Sequence, residues 1–248
     1  MLNRHSPIPL YHQLRETLRQ SIENGRYKHG DALPTEAELE SQFNISRITV
    51  RRAIIDLVNE GLLSRERGRG TYVSKPKITQ KLNYITSWAE TVIGMGMSVK
   101  TIDCIIEYVV APSWVARLLV IPTGQEVTRI SRVRCADAEP MCIMTNHLLS
   151  DYVPGLVEDG LQSESLYETL ENRYHFVLGK AEELVEAVLA DEHQAKVLKI
   201  CKGAPLLSVT RVTYDVHDVP FEVVKAVSRA DKYQYSSTMM GRPKLKKS

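Results

Sequence analysis

Ile45-Ser46-Arg47-Ile48-Thr49-Val50-Arg51-Arg52-Ala53-Ile54-Ile55-Asp56-Leu57-Val58-Asn59-Glu60-Gly61 is the stretch that decides the fold. Ser46 is an N-cap residue, Ile45 and Val50 stand at the two positions of a hydrophobic staple, and Gly61 falls where a helix ends on a C′ glycine. Val50, Ile54, Leu57 and Val58 make the buried face of the helix so delimited. Arg47 and Arg51, four residues apart, then share the opposite face. A short helix with an apolar back and a basic first turn is what a DNA major groove accepts.

The residues on either side complete the unit. Upstream, Leu10, Leu14, Leu18 and Ile22 recur every fourth position among charged residues, an amphipathic helix ended by Gly25. Leu33-Pro34 turns the chain, and Thr35 with Glu38 forms a capping box for a second helix through about Phe43. Downstream, Leu62 to Arg65 and Thr71 to Ser74 read as two strands joined by Glu66-Arg67-Gly68-Arg69-Gly70, whose glycines allow a tight tip. Three helices followed by a β-hairpin predict a winged helix-turn-helix over residues 1–75, with residues 76–80 as a linker.

Beyond the linker the pattern changes. Ile102 to Val110, Glu126 to Cys135, Met141 to Leu148, Leu206 to Tyr214 and Phe221 to Ala230 are β-branched or alternating runs. Asp137-Ala138-Glu139-Pro140 and His217-Asp218-Val219-Pro220 read as turns between pairs of them. Ser113 to Leu119, Leu166 to Tyr174 and Asp191 to Ile200 read as helices. The expected class is α/β with two domains, the second an α+β domain on an antiparallel sheet over residues 81–240. Residues 241–248 form a basic tail.

Composition narrows the function. With 248 residues, 43% hydrophobic and 25% charged, the chain can bury a core, and no run approaches the ~20 apolar residues of a membrane helix. Met1 to Tyr11 lacks an apolar run, so no signal peptide is expected, and the protein is expected to be soluble and cytoplasmic, without membrane association. Cys104, Cys135, Cys142 and Cys201 lack C-x-x-C spacing and are expected to be reduced, buried small hydrophobes; no metal or cofactor is expected. Residues 1–77 hold 13 Lys and Arg against 9 Asp and Glu, whereas the remainder holds 19 against 21. A basic module on a slightly acidic body suits a phosphate-binding head.

The first turn and a half of the decisive helix carries Arg47, Ile48, Thr49, Arg51 and Arg52. Arginine can grip guanine or phosphate with two hydrogen bonds, and the Ser46 cap begins a helix whose free N–H groups favour phosphate. Arg65, Arg67 and Arg69 surround the glycine tip of the hairpin, a shape suited to the minor groove. Either cluster alone also fits a solvated basic face. Their placement at the two points a winged helix presents to a duplex points to double-stranded operator DNA.

Leu33-Pro34-Thr35-Glu36, Ile45 to Ala53, Glu60-Gly61-Leu62-Leu63 and Gly68-Arg69-Gly70-Thr71-Tyr72-Val73 closely resemble the head of GntR-superfamily repressors. The resemblance implies operator contacts by Arg47, Thr49 and Arg51, with Arg67, Gly68 and Arg69 at the wing; Thr35, Ser46 and Arg52 complete the expected DNA-facing set. This chain has Ala37 where many members carry a further DNA-contacting arginine.

The second domain resembles the effector-binding domain of the HutC subfamily, which has a chorismate-lyase-like fold. Arg132-Val133-Arg134, Ser165-Leu166-Tyr167, Gly203-Ala204-Pro205, Arg211 to Tyr214 and Pro220-Phe221-Glu222 carry the likeness, in order. Read as residues alone, Arg132 and Arg134 lie on one face of a strand, where two guanidiniums in one cavity would call for an anion or buried carboxylates; surface arginines with Glu222 as a salt-bridge partner are the more usual arrangement for such residues. The chain is similar to repressors of amino-sugar use, and this implies that Arg132, Arg134, Ser87 and Ser165 hold a phosphate, with Tyr167 beside them and Glu222 on the sugar. Met144 stands where those relatives often carry a second sugar-gripping glutamate. A homodimeric repressor responding to a small anionic effector, a sugar phosphate or amino-sugar phosphate, is the resulting expectation. An effector-independent dimeric DNA binder and a lyase-like enzyme are the alternatives; the chain has neither a G-x-S-x-G elbow nor metal-ligand spacing.

Overall fold

The computed structural model describes residues 2–4, 6–66, 68–74 and 77–241. Arg67 of the expected wing, Lys75 and Pro76 of the expected linker and the basic residues 242–248 lie outside the described residues. The chain divides into two compact units, Met1–Pro76 and Lys77–Ser248.

In the first unit, helices α1 (Leu10–Glu23), α2 (Glu36–Phe43) and α3 (Arg47–Asn59) precede a hairpin of β1 (Leu63–Glu66) and β2 (Gly70–Val73). The capping box at Thr35 is complete: its hydroxyl accepts from the Glu38 amide at 3.3 Å, and the Thr35 amide donates to the Glu38 carboxylate at 2.7 Å. Leu14, Leu18 and Ile22 of α1 meet Val50, Ile54 and Leu57 of α3 in one buried cluster. Val58, expected inside, is half-buried at its margin. Gly68 and Gly70 have φ of 76° and 128°, the positive values the wing tip requires.

The second unit opens with β3 (Ile78–Lys81) and α4 (Trp88–Gly94). Then come β4 (Val99–Val110), α5 (Ser113–Leu119), β5 (Glu126–Ala136), β6 (Glu139–Leu149), α6 (Leu156–Asp159) and α7 (Leu166–Tyr174). The unit closes with β7 (Leu178–Leu189), α8 (Glu192–Leu198), β8 (Pro205–Asp215), β9 (Pro220–Arg229) and β10 (Tyr233–Ser236). Six strands form an antiparallel sheet in the order β4-β5-β6-β9-β8-β7, and β10 pairs separately with β3 in parallel. Asp137 and Ala138, at φ of 47° and 65°, make the tight turn between β5 and β6. On one face of the sheet Ile130, Leu148 and Phe221 pack with α7 through Leu166, Tyr167 and Leu170. The α5 helix packs through Val115 and Leu119 on Val127, Val212 and Val223.

Two expectations need correction, and one strand lies outside the runs read from the sequence. Ile78 to Gln80, placed in the linker, belong to a strand paired with β10, so the second unit begins at Lys77. Leu178–Leu189 is a twelve-residue edge strand, although its Glu- and Ala-rich sequence has no strand signature. Cys135 and Cys142 are buried, but Cys104 and Cys201 are exposed, one on edge strand β4 and the other beyond the end of α8. Among the described residues no helix is long and apolar enough to cross a membrane.

Candidate functional site

The residues expected to face DNA gather mainly around the start of α3. Ser46 caps the helix by accepting from the Thr49 amide at 3.4 Å, and the two hydroxyls meet at 2.8 Å. Arg47, Ile48 and Arg51 are exposed, with the Arg47 side chain 71% accessible. Glu36, which sequence reasoning did not single out, accepts from Arg47 at 3.4 Å and from Arg65 at 2.8 Å. One carboxylate thereby ties the first turn of α3 to the wing. The Arg52 guanidinium lies over the Tyr11 ring, 4.1 Å from its centroid, and joins α3 to α1.

In the second unit all six expected effector residues converge. Five line one cavity of about 60 Å³, and the sixth, Ser165, donates to Ser87 at 3.0 Å. The i, i+2 spacing of β5 places Arg132 and Arg134 on the same face, and both are buried, at 4% and 2% exposure. The surface-strand reading of these arginines therefore fails. Arg132 donates through Nη2 to Asn146 Oδ1 at 3.0 Å, while its buried Nε and Nη1 have no partner. Burial and the neighbouring Arg134 charge lower its pKa to about 10. Arg134 is paired: it donates to the Glu164 carboxylate and to the Glu164 carbonyl, each at 2.8 Å, and lies 5.2 Å from the Trp88 ring centroid.

Ser87 and Ser165 cap α4 and α7, accepting from the Glu90 amide at 3.1 Å and the Glu168 amide at 3.2 Å. Two helix starts thus meet beside the arginine pair. Glu222 is fully buried and accepts from Asn146 at 2.7 Å, Thr213 at 2.7 Å and Tyr167 at 3.1 Å. Burial, followed by the Glu222 charge, raises the Tyr167 pKa, so the phenol stays protonated as a donor. Arg211 donates to the Tyr167 oxygen at 3.1 Å and forms an ion pair with Glu183.

Asn146, Glu164, Glu183, Arg211 and Thr213 were not predicted for the site. A usable signal existed for Arg211 and Thr213, which repeat the i, i+2 spacing of Arg132 and Arg134 on another central strand. Asn146 sits two residues after Met144 on the cavity face of β6. Glu164 and Glu183 have no local signature, because only the fold brings them to the arginines.

A winged helix with an arginine-bearing first turn, followed by a sheet domain whose cavity is lined by arginines and carboxylates, defines a ligand-responsive DNA-binding regulator. Residues 10–73 match the model for bacterial regulatory proteins of the gntR family, and residues 94–234 match the UTRA domain. The chain is 38% identical to the HTH-type transcriptional repressor NagR of Bacillus subtilis, over 94% of this chain and 96% of that protein. It is 28% identical to the mannosyl-D-glycerate transport/metabolism system repressor MngR of Escherichia coli, over 92% and 95%. Among solved structures, PhnF from Mycobacterium smegmatis superposes with a TM-score of 0.68 at 28% identity, covering 92% of this chain and 99% of that one. The chain belongs to the GntR family and carries a UTRA effector domain. It is a DNA-binding transcriptional repressor of that type, not an enzyme.

Proposed function

We propose that the second domain binds a small phosphorylated sugar or amino-sugar phosphate, and that binding lowers the affinity of a cytoplasmic homodimer for its operator. The observation that carries this reading is Arg132, a guanidinium at 4% exposure with two nitrogens lacking any partner. A buried, half-satisfied cation is costly in a protein that has no use for it. An anion in the cavity supplies the missing acceptors, and phosphate has enough oxygens to serve Arg132, Arg134 and the two helix starts together. Glu222, held by three donors, is pre-oriented to accept from a sugar hydroxyl or amine. The name of MngR, which places a glycosylated organic acid in the system it represses, supports a sugar-bearing anion.

In the head, Arg47, Thr49 and Arg51 are the proposed base and phosphate contacts of α3, with Gly68 and Arg69 at the wing. Two heads related by a two-fold axis read a pseudo-palindrome. The effector acts by population shift: it must bind the DNA-incompetent arrangement more tightly than the competent one. A 100-fold change in operator affinity needs about 2.7 kcal/mol of coupling.

A thermal-shift comparison of glucose 6-phosphate and glucosamine 6-phosphate with their unphosphorylated parents tests the reading. A ligand at 100 times its Kd stabilises by about 2.7 kcal/mol, a clear shift confined here to the phosphorylated compounds. Stabilisation by a neutral parent sugar, with none by its phosphate, contradicts the anion pocket.

A further inference from the structure

Arg132 and Arg134 differ in one respect. Arg132 has two nitrogens without a partner, whereas Arg134 is already paired with a carboxylate that belongs to the chain itself. Glu164 Oε2 accepts from Arg134 Nη1 at 2.8 Å and from the Thr101 hydroxyl at 2.5 Å, and Oε1 accepts from the Thr101 amide at 3.2 Å. The Glu164 carbonyl takes the second Arg134 nitrogen. Both Arg134 and Glu164 line the cavity, whose 60 Å³ is well short of the ~300 Å³ or more usual for a small-molecule site. The two partners are unequally fixed: the Arg134 side chain is 2% exposed and the Glu164 side chain 41%. The carboxylate therefore has a route to solvent, and the guanidinium does not.

We propose that Glu164 is a built-in competitor for the effector's anionic group and sets the selectivity of the pocket. This rests on the anion-pocket reading above. An incoming anion must displace the carboxylate from Arg134 before it can bridge both guanidiniums. A monocarboxylate gains little by replacing another carboxylate on the same donors. A phosphate, with more charge and three terminal oxygens, engages Arg134 and the open nitrogens of Arg132 together. Glu164 thus raises the threshold so that phosphorylated compounds pass and simple carboxylates do not. Because Glu164 immediately precedes Ser165, the cap of α7, its release also disturbs a helix start that touches the cavity.

The test is calorimetric titration of the full-length protein and its Glu164→Gln and Glu164→Ala variants with inorganic phosphate and with acetate. Each variant is expected to bind phosphate roughly tenfold more tightly, the worth of one charge-assisted hydrogen bond no longer given up. Acetate, too weak to measure against the wild type, is expected to bind both variants. Unchanged or weaker phosphate binding by a variant with a native melting transition overturns the proposal. The Arg132→Ala variant separates the two claims. Its loss of phosphate binding, both alone and combined with Glu164→Gln, supports the pocket, whereas undiminished binding contradicts the pocket itself. Absence of phosphate binding by both the wild type and Glu164→Gln contradicts both.

Discussion

Arg132 and Met144 are direct partners across the β5–β6 ladder, and the guanidinium reaches the thioether sulfur at 3.8 Å. A thioether is a weak acceptor, so this contact offsets little of the cost of burying the charge. Replacing Arg132 by the apolar, similarly long Met is therefore expected to stabilise the protein by about 1–3 kcal/mol. The same Arg132→Met variant is expected to lose all response to phosphorylated ligands. Thermal melting with and without glucosamine 6-phosphate reads both effects; a lower melting temperature shows that the charge is better compensated than its geometry implies.

Arg51 and Arg52 are sequence neighbours with different surroundings. Arg51 is exposed beside the first turn of α3, and Arg52 packs on Tyr11. Arg51→Ala is expected to weaken operator binding by about 1–3 kcal/mol with little change in stability. Arg52→Ala is expected to destabilise the head by about 0.5–1 kcal/mol through the lost ring contact. Band-shift titration and melting of both variants separate the roles, and an unchanged operator affinity for Arg51→Ala removes that residue from the interface.

The Glu36 carboxylate holds Arg47 and Arg65 together and at the same time repels phosphate. Glu36→Gln is expected to raise affinity for random-sequence DNA several-fold while narrowing the gap to operator DNA, since α3 and the wing lose their common anchor. Competition binding at fixed salt measures both effects. A wider gap means that the bridge restrains the arginines rather than aligning them.

His147 supplies a pH dependence. It is 4% exposed, its ring meets Trp114 edge-on at 5.8 Å between centroids, and its Nδ1 has no partner. Burial first, then the Arg129 charge, lowers its pKa to about 4 from the ordinary 6.5. Below pH 6.5 the unfolded chain binds a proton that the folded protein refuses. The stability present above 6.5 is therefore lost as pH falls toward 4, and no further loss follows below that. The loss amounts to about 2 kcal/mol between about pH 7 and about pH 5. His147→Phe keeps an aromatic ring against Trp114 and is expected to lose that much less over the same interval in urea unfolding. Parallel losses in both proteins assign the titration to other groups.

The head was legible because its signals are local. Ser46, Thr35 and Gly61 mark helix ends through hydrogen bonds within four residues, and the structure places those ends as read. The second domain was legible where strands alternate and at the helices Ser113–Leu119 and Leu166–Tyr174, which the structure places as read. Leu178–Leu189 has helix-favouring Lys, Glu and Ala, yet pairing with β8 over eleven registered residues overrides propensity. The four-residue strands Ile78–Lys81 and Tyr233–Ser236 exist because they pair across the length of the domain, which no window of sequence displays. The arginine pair was readable from strand period; that Glu164 answers Arg134, and that Asn146 joins Arg132 to Glu222, follows from tertiary register alone.

That Arg132 senses an anion and that this binding is felt at the operator is the proposal on which the other roles depend. It is tested most directly by titrating glucosamine 6-phosphate into complexes of promoter DNA with the wild type and with Arg132→Ala, followed by fluorescence anisotropy. The wild type is expected to lose at least tenfold in operator affinity, and Arg132→Ala is expected to bind DNA fully with no response. A folded Arg132→Ala protein that fails to bind the promoter, or that releases it as readily as the wild type, rules out this role for Arg132.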